Sequence, residues 1–161
     1  MASLVLDSSA LITLAGANAL PLLRLSPHRA LTVSGVYSET VEAGLARAHP
    51  DAVAIREAFE IQIVAIQNPR STETLAGISR TDSQVLLLAE EVAAAALLVN
   101  DKPLWRKAEQ RGLPARFTAE FVEDLYQAGK ISRKRRDGLL DGFVSRLRYS
   151  EEFIRALLLA R

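Results

Sequence analysis

Short unbroken apolar runs alternate along this chain with longer stretches in which apolar residues recur every three or four positions. The first run, residues 2–6, stops at Asp7. Further runs at 30–33, 61–66, 94–99 and 115–117 read as strands, and the β-branched content of 61–66 supports that reading. Between them the helical period appears over residues 8–14, 19–25, 34–43, 50–60, 82–92, 102–111 and 118–128. Ser8 or Ser9, Ser34 and Thr81 are the expected caps, and Pro21, Pro50 and Pro103 stand near helix starts. Residues 68–79, with Asn68, Pro69, Ser71 and Gly77, carry turn signals and no period. Two more amphipathic helices follow at 132–148 and 151–160. Strands buried on both faces and alternating with helices predict an α/β fold with a parallel sheet.

Composition narrows the chemistry. The 161 residues suit one domain with a real core, 49% of them are hydrophobic and 24% charged, and there is no cysteine. Disulfides, thiolate metal sites and cysteine nucleophiles are excluded, and His28 and His49 alone do not make a zinc site. Any metal here is held by oxygen, which favours magnesium or manganese. Net charge is only +1, yet it is unevenly spread. Through Asp101 there are 6 basic against 11 acidic residues; from Lys102 onward, 14 against 8. The first part suits cations and the second polyanions. Residues 4–19 have the outline of an export signal, but no basic segment precedes them and Asp7 interrupts the apolar run. No run reaches the roughly 20 apolar residues of a membrane span. The expectation is a cytoplasmic protein with no membrane partner.

Four acids stand out by placement. Asp7 follows the first strand and Asp101 the fourth; Glu39 lies on the helix entered from the second strand; Asp82 begins the helix leading into the fourth. Parallel strands would bring all four to one edge of the sheet, where mutual repulsion favours one or two divalent cations. Each acid alone has an ordinary explanation: Asp7, Asp82 and Asp101 as residues suited to helix starts, Glu39 as an exposed helical residue. Phosphate-binding glycine loops and a nucleophilic serine elbow are absent.

Residues 5–12, Val-Leu-Asp-Ser-Ser-Ala-Leu-Ile, resemble the opening motif of PIN-domain proteins, including VapC-like toxins. Residues 36–41, with Glu39, are similar to their second motif, and Asp82, seven residues before Ala89, resembles the third. Leu98-Val99-Asn100-Asp101, followed by Leu104, Ala108 and Gly112, resembles the fourth. The resemblance implies a PIN-like, Rossmann-like parallel sheet of four to five strands flanked by helices, with extra C-terminal helices. On this reading residues 1–129 form the nuclease domain. Residues 130–161 form a helical extension packed on it or on a partner. The implied activity is a Mg2+- or Mn2+-dependent endoribonuclease, often a toxin paired with a small antitoxin, and a homodimer. Asp7, Glu39, Asp82 and Asp101 match its acidic metal-binding and catalytic positions, with Ser9 and Asn100 as supporting polar positions. The chain departs from the pattern at Gln84, where a further acid is common, and at Asn100, where Thr or Asp is common.

The basic run of Lys130, Arg133, Lys134, Arg135 and Arg136 is read as a contact for RNA phosphates, with a solvated helix face as the ordinary alternative. Trp105 and Phe117 read as core residues. The substitutions at Gln84 and Asn100 keep a second class of function open: a degenerate PIN domain that binds RNA or protein without cutting. A metal-dependent phosphoesterase of small molecules is a third.

Overall fold

The computed structural model describes residues 2–160. β1 (Ser3–Leu6) leads into α1 (Ser8–Gly16), a 3-10 segment (Leu20–Leu25) and β2 (Arg29–Thr32). A single helical stretch follows, made of α2 (Ser34–Tyr37), a π-helical turn (Ser38–Glu42) and α3 (Ala43–Ala46). Then come α4 (Asp51–Glu60), β3 (Ala65–Ile66), α5 (Arg80–Glu91) and β4 (Ala96–Val99). The chain finishes with α6 (Lys102–Gln110), β5 (Ala115–Phe117), α7 (Thr118–Gln127), α8 (Arg133–Ser145) and α9 (Glu151–Leu159). Among the described residues no helix is long and apolar enough to cross a membrane.

All five strands join one sheet in the order β3-β2-β1-β4-β5, and every neighbouring pair is parallel. This is the α/β arrangement the apolar runs predict. Val5 sits between Leu31 and Leu97, and β1 and β4 are buried along their whole length. Helices cover both faces of these strands, which is why they read as unbroken apolar runs. From β1 the chain builds outward to β2 and β3 on one side and to β4 and β5 on the other. Strand order therefore reverses between β1 and β4. In open α/β sheets, ligands bind outside the carboxyl ends of the strands at that reversal. The residues just beyond those two ends are Asp7 and the Asn100-Asp101 pair.

Several boundaries differ from the sequence reading, each for a local reason. The third strand is two residues long rather than six. Ile61 N–H bonds the Glu57 carbonyl, Ile63 N–H bonds that of Ala58, and Gln62 turns left-handed at φ 61°, so this segment closes α4 before any strand begins. Asp7, not Ser8 or Ser9, caps α1, and Ser79, not Thr81, caps α5. Ser34 makes no cap; its N–H and Oγ both donate to Asn68 Oδ1. α8 stops at Ser145, short of Arg148, because Leu147 is left-handed at φ 60°.

The tail packs on the domain. α8 buries Leu139, Leu140 and Phe143, and α9 buries Ile154. An aromatic cluster joins tail to sheet: Trp105 stacks on Phe117 at 5.5 Å, Phe153 meets Phe117 edge-on at 5.3 Å, and Tyr149 stacks on Phe153 at 5.0 Å.

Candidate active site at the carboxyl edge of the sheet

Asp7 continues the backbone of β1, its N–H bonding the Leu98 carbonyl at 3.3 Å. Its side chain is 2% exposed. One carboxylate oxygen caps α1 by accepting the Ala10 N–H at 2.8 Å, and Ser9 Oγ donates to the same group at 2.7 Å. Ser9 Oγ in turn accepts the Asn100 N–H at 2.9 Å, which ties the turn after β4 to the turn after β1. The Asn100 amide donates to Thr13 Oγ1 at 2.6 Å, and its carbonyl accepts the Tyr149 hydroxyl. Thr13 lies four residues after Ser9 and so shares its helix face.

Glu39 reaches the same edge from the π-helical turn. Thr40 and Val41 in that turn are buried, which leaves Glu39 pointing outward, where Ser8 Oγ donates to its carboxylate at 2.6 Å. Asp82 stands in the first turn of α5, but that helix is capped by Ser79 Oγ, which accepts the Asp82 N–H at 3.0 Å. Asp101 occupies the N-cap position of α6 and makes no capping bond with its side chain. Helix capping thus accounts for Asp7 but not for the carboxylates of Asp82 and Asp101.

The four acids act on one another. Burial pushes the Asp7 carboxyl up to about 7, with the charges of Asp82 and Asp101 adding to the rise and the bonds from Ser9 and Ala10 opposing it. Asp82 is also raised, first by burial and then by Asp101 and Glu39, against the bond from Ser79. Among the described residues none of the four is ion-paired to Lys, Arg or His. Nor do any three of them, among the described residues, converge closely enough to form a ready ligand group. The histidines are elsewhere: His49 stands 3.9 Å from Asp51, and His28 lines a cavity beside Leu4 and Ala95, at the amino ends of the strands.

The basic run is not brought to this edge. Lys130 borders the same cavity of about 340 Å3 with Leu4, His28, Ala95 and Ala96. Lys134 and Arg135 flank Ala17 and Asn18, beyond the end of α1 opposite Asp7. Nor is the run a single surface. Arg136 is buried; its guanidinium pairs with Glu123 and Asp137, each at 2.7 Å, and lies 4.3 Å over the Tyr126 ring. The reading of Arg136 as a phosphate contact is therefore corrected: its charge is already neutralised inside the protein. Lys130, Arg133, Lys134 and Arg135 remain exposed.

Gln84, at a position where the resemblance often has an acid, donates to the Ser71 carbonyl at 3.1 Å and so ties the 68–79 loop to α5. The sequence reading marks no role at this edge for Thr13 or Tyr149, and it marks Ser8 only as a possible cap of α1. Ser8 and Thr13 carry a signal, since they stand beside Ser9 and one turn after it on the helix Asp7 begins. Tyr149 carries none, because 49 residues separate it from Asn100.

A family model described as the PIN domain matches residues 3–160, taking in all five strands and both tail helices. No curated protein matches the chain.

Proposed function

Because this chain belongs to the PIN-domain family, whose members are generally nucleases, we propose that it is an endoribonuclease dependent on Mg2+ or Mn2+. The observation that supports the proposal is that Asp7 and Asp101 stand just beyond β1 and β4 at the strand-order reversal, with Glu39 and Asp82 on helices that enter from the same side, and that none of the four has an ion-pair partner among the described residues. The donor chemistry fits. All four ligands offer oxygen, and the chain has no cysteine, which suits hard divalent cations.

When bound, such an ion acidifies a water molecule and stabilises charge on the phosphoryl oxygens. The protein's part is orientation. Ser9 and the Ala10 N–H fix Asp7, Ser8 turns Glu39 toward α1, and Asn100, held by Ser9 and Thr13, sets where Asp101 begins. In the proposed hydrolysis, water oxygen bonds to phosphorus and the bond to the 3′ oxygen breaks. That oxygen leaves with a proton, giving a 5′-phosphate and a 3′-hydroxyl. Lys130, Arg133, Lys134 and Arg135 engage phosphates of the same RNA away from the scissile bond. The proposal includes a cytoplasmic setting, a small antitoxin as partner, and assembly as a homodimer.

The test is cleavage of labelled single-stranded RNA with and without Mn2+. Asp7→Asn and Asp101→Asn should each lower the rate by about three orders of magnitude while the protein stays folded. Full activity in either variant would overturn the assignment. The second reading, a PIN domain that binds without cutting, draws on Gln84, which serves the 68–79 loop where the resemblance often has an acid. RNA binding that is indifferent to Mn2+, with no cleavage, would decide for it.

A further inference from the structure

Tyr149 lies in the tail, outside the four acidic motifs, yet its hydroxyl reaches the carboxyl edge. It accepts the Ala119 N–H at 3.2 Å and donates to Asn100 Oδ1. With that bond every polar group of the Asn100 side chain is engaged: the carbonyl by Tyr149, the amide by Thr13. The backbone N–H of Asn100 is engaged as well, by Ser9, whose own hydroxyl donates to Asp7. A continuous chain of bonds therefore runs from the start of α7 through Tyr149, Asn100 and Ser9 to the buried acid. Asp101 is the next residue along the backbone.

Two features show that the tail is shaped to deliver this hydroxyl. The Tyr149 ring is held on several sides, stacked on Phe153 at 5.0 Å, edge-on to Phe117 at 6.4 Å and tilted against Phe143 at 5.9 Å. The segment that brings it there closes α8 through Leu147 at φ 60°, with the Arg148 N–H bonded to the Phe143 carbonyl at 2.9 Å, which fixes where Tyr149 leaves the helix. Arg146, Arg148 and Ser150 face solvent; Tyr149 alone of this stretch turns inward.

We propose that Tyr149 is a positioning residue for the carboxylate edge: its hydroxyl clamps Asn100 and so holds Asp101 in register with Asp7. The clamp is read from its own bonds; what it serves rests on the carboxylate site proposed above. Removing the hydroxyl frees the Asn100 carbonyl and lets the turn after β4 relax, while the ring stays in its cluster.

The experiment compares Tyr149→Phe with Phe153→Leu, which loosens the same aromatic cluster but removes no hydrogen bond. Both variants and the parent are titrated with Mn2+ by calorimetry well below their melting temperatures, and amide hydrogen exchange is followed in the metal-free proteins. Tyr149→Phe should weaken Mn2+ binding about tenfold, the low end of what loss of a metal ligand's outer support costs, and speed exchange at the Asn100 amide about tenfold. Phe153→Leu should lower the melting temperature and leave both readings close to the parent. Equal Mn2+ affinity in Tyr149→Phe and the parent, or the same loss in both variants, would overturn the proposal. If the parent binds no Mn2+, the metal reading fails by itself. Exchange at Asn100 then decides the clamp, and an unchanged rate in Tyr149→Phe removes it.

Discussion

The two edges of the sheet are built from the same five strands and have opposite character. On the carboxyl side stand Asp7, Glu39, Asp82 and Asp101, none of them ion-paired to Lys, Arg or His among the described residues, and burial raises the Asp7 carboxyl to about 7. At the amino edge Lys130 borders an apolar cavity, and Lys134 and Arg135 lie beyond the far end of α1. Parallel strands make this separation possible, because all five strands end on the same side, and β1, β2, β4 and β5 each lead there into a helix. The lesson is that charge of either sign does not mark a site by itself. One member of the basic run, Arg136, is turned inward to pair with Glu123 and Asp137, whereas among the described residues none of the four acids has a cationic partner.

The largest effect that would sharpen the contrast concerns Arg136. Arg136→Ala leaves Glu123 charged and 1% exposed on α7. The loss expected is about 3–5 kcal/mol, and a thermal melt should show a fall of about 10 °C. The double change Arg136→Met with Glu123→Leu should recover most of that loss. A melt of Arg136→Ala equal to the parent's would return Arg136 to the surface group.

Asp7 tests the other edge through pH. Its folded value of about 7 lies above its ordinary value of 3.8, so the native state holds a proton the unfolded state has released. The burial penalty is absent below about pH 4, grows as pH rises, and is complete above about pH 7, where it is worth a few kcal/mol at most. In metal-free buffer the protein should therefore melt lower at pH 8 than at pH 5. Asp7→Asn should melt several degrees above the parent at pH 8 and close to it near pH 4. Added Mn2+ should raise the parent more than the variant. A melting difference independent of pH would break the account of Asp7.

The smallest effect belongs to the exposed cations. Reversing Lys130, Arg133, Lys134 and Arg135 to Glu should weaken RNA binding about tenfold or more and flatten its salt dependence, with Mn2+ affinity unchanged. RNA affinity equal to the parent's would reduce the amino edge to a solvated helix face.

Much of the fold was legible because burial on both faces leaves an unbroken apolar run, and in β1 and β4 that run ends at the residue pair that matters. Strand direction alone puts the ends of β1 and β4 on one side, with Asp7 and Asp101 just beyond them. β3 was overcalled since Ile61 and Ile63 look like strand residues, whereas their N–H groups close α4. Arg136 was misread although its signal was present: it stands three, four and seven residues before Leu139, Leu140 and Phe143, on the apolar stripe of α8. The bonds of Asn100 to Thr13 and Tyr149 span 87 and 49 residues, and no local pattern announces contacts of that range.

The π-helical turn at Ser38–Glu42 carries a consequence for insertions and deletions. A π turn encloses one residue more than an α turn, so the helix from Ser34 to Ala46 already holds a single-residue surplus. Removing one residue between Tyr37 and Ala43 should let the turn close as an ordinary α turn with the helix on either side kept in register, whereas adding a second surplus residue should rotate one side by about 100° relative to the other. Val36 and Val41 could not then both keep their buried places while Glu39 kept its reach to Ser8. This segment should accept a one-residue deletion far better than a one-residue insertion.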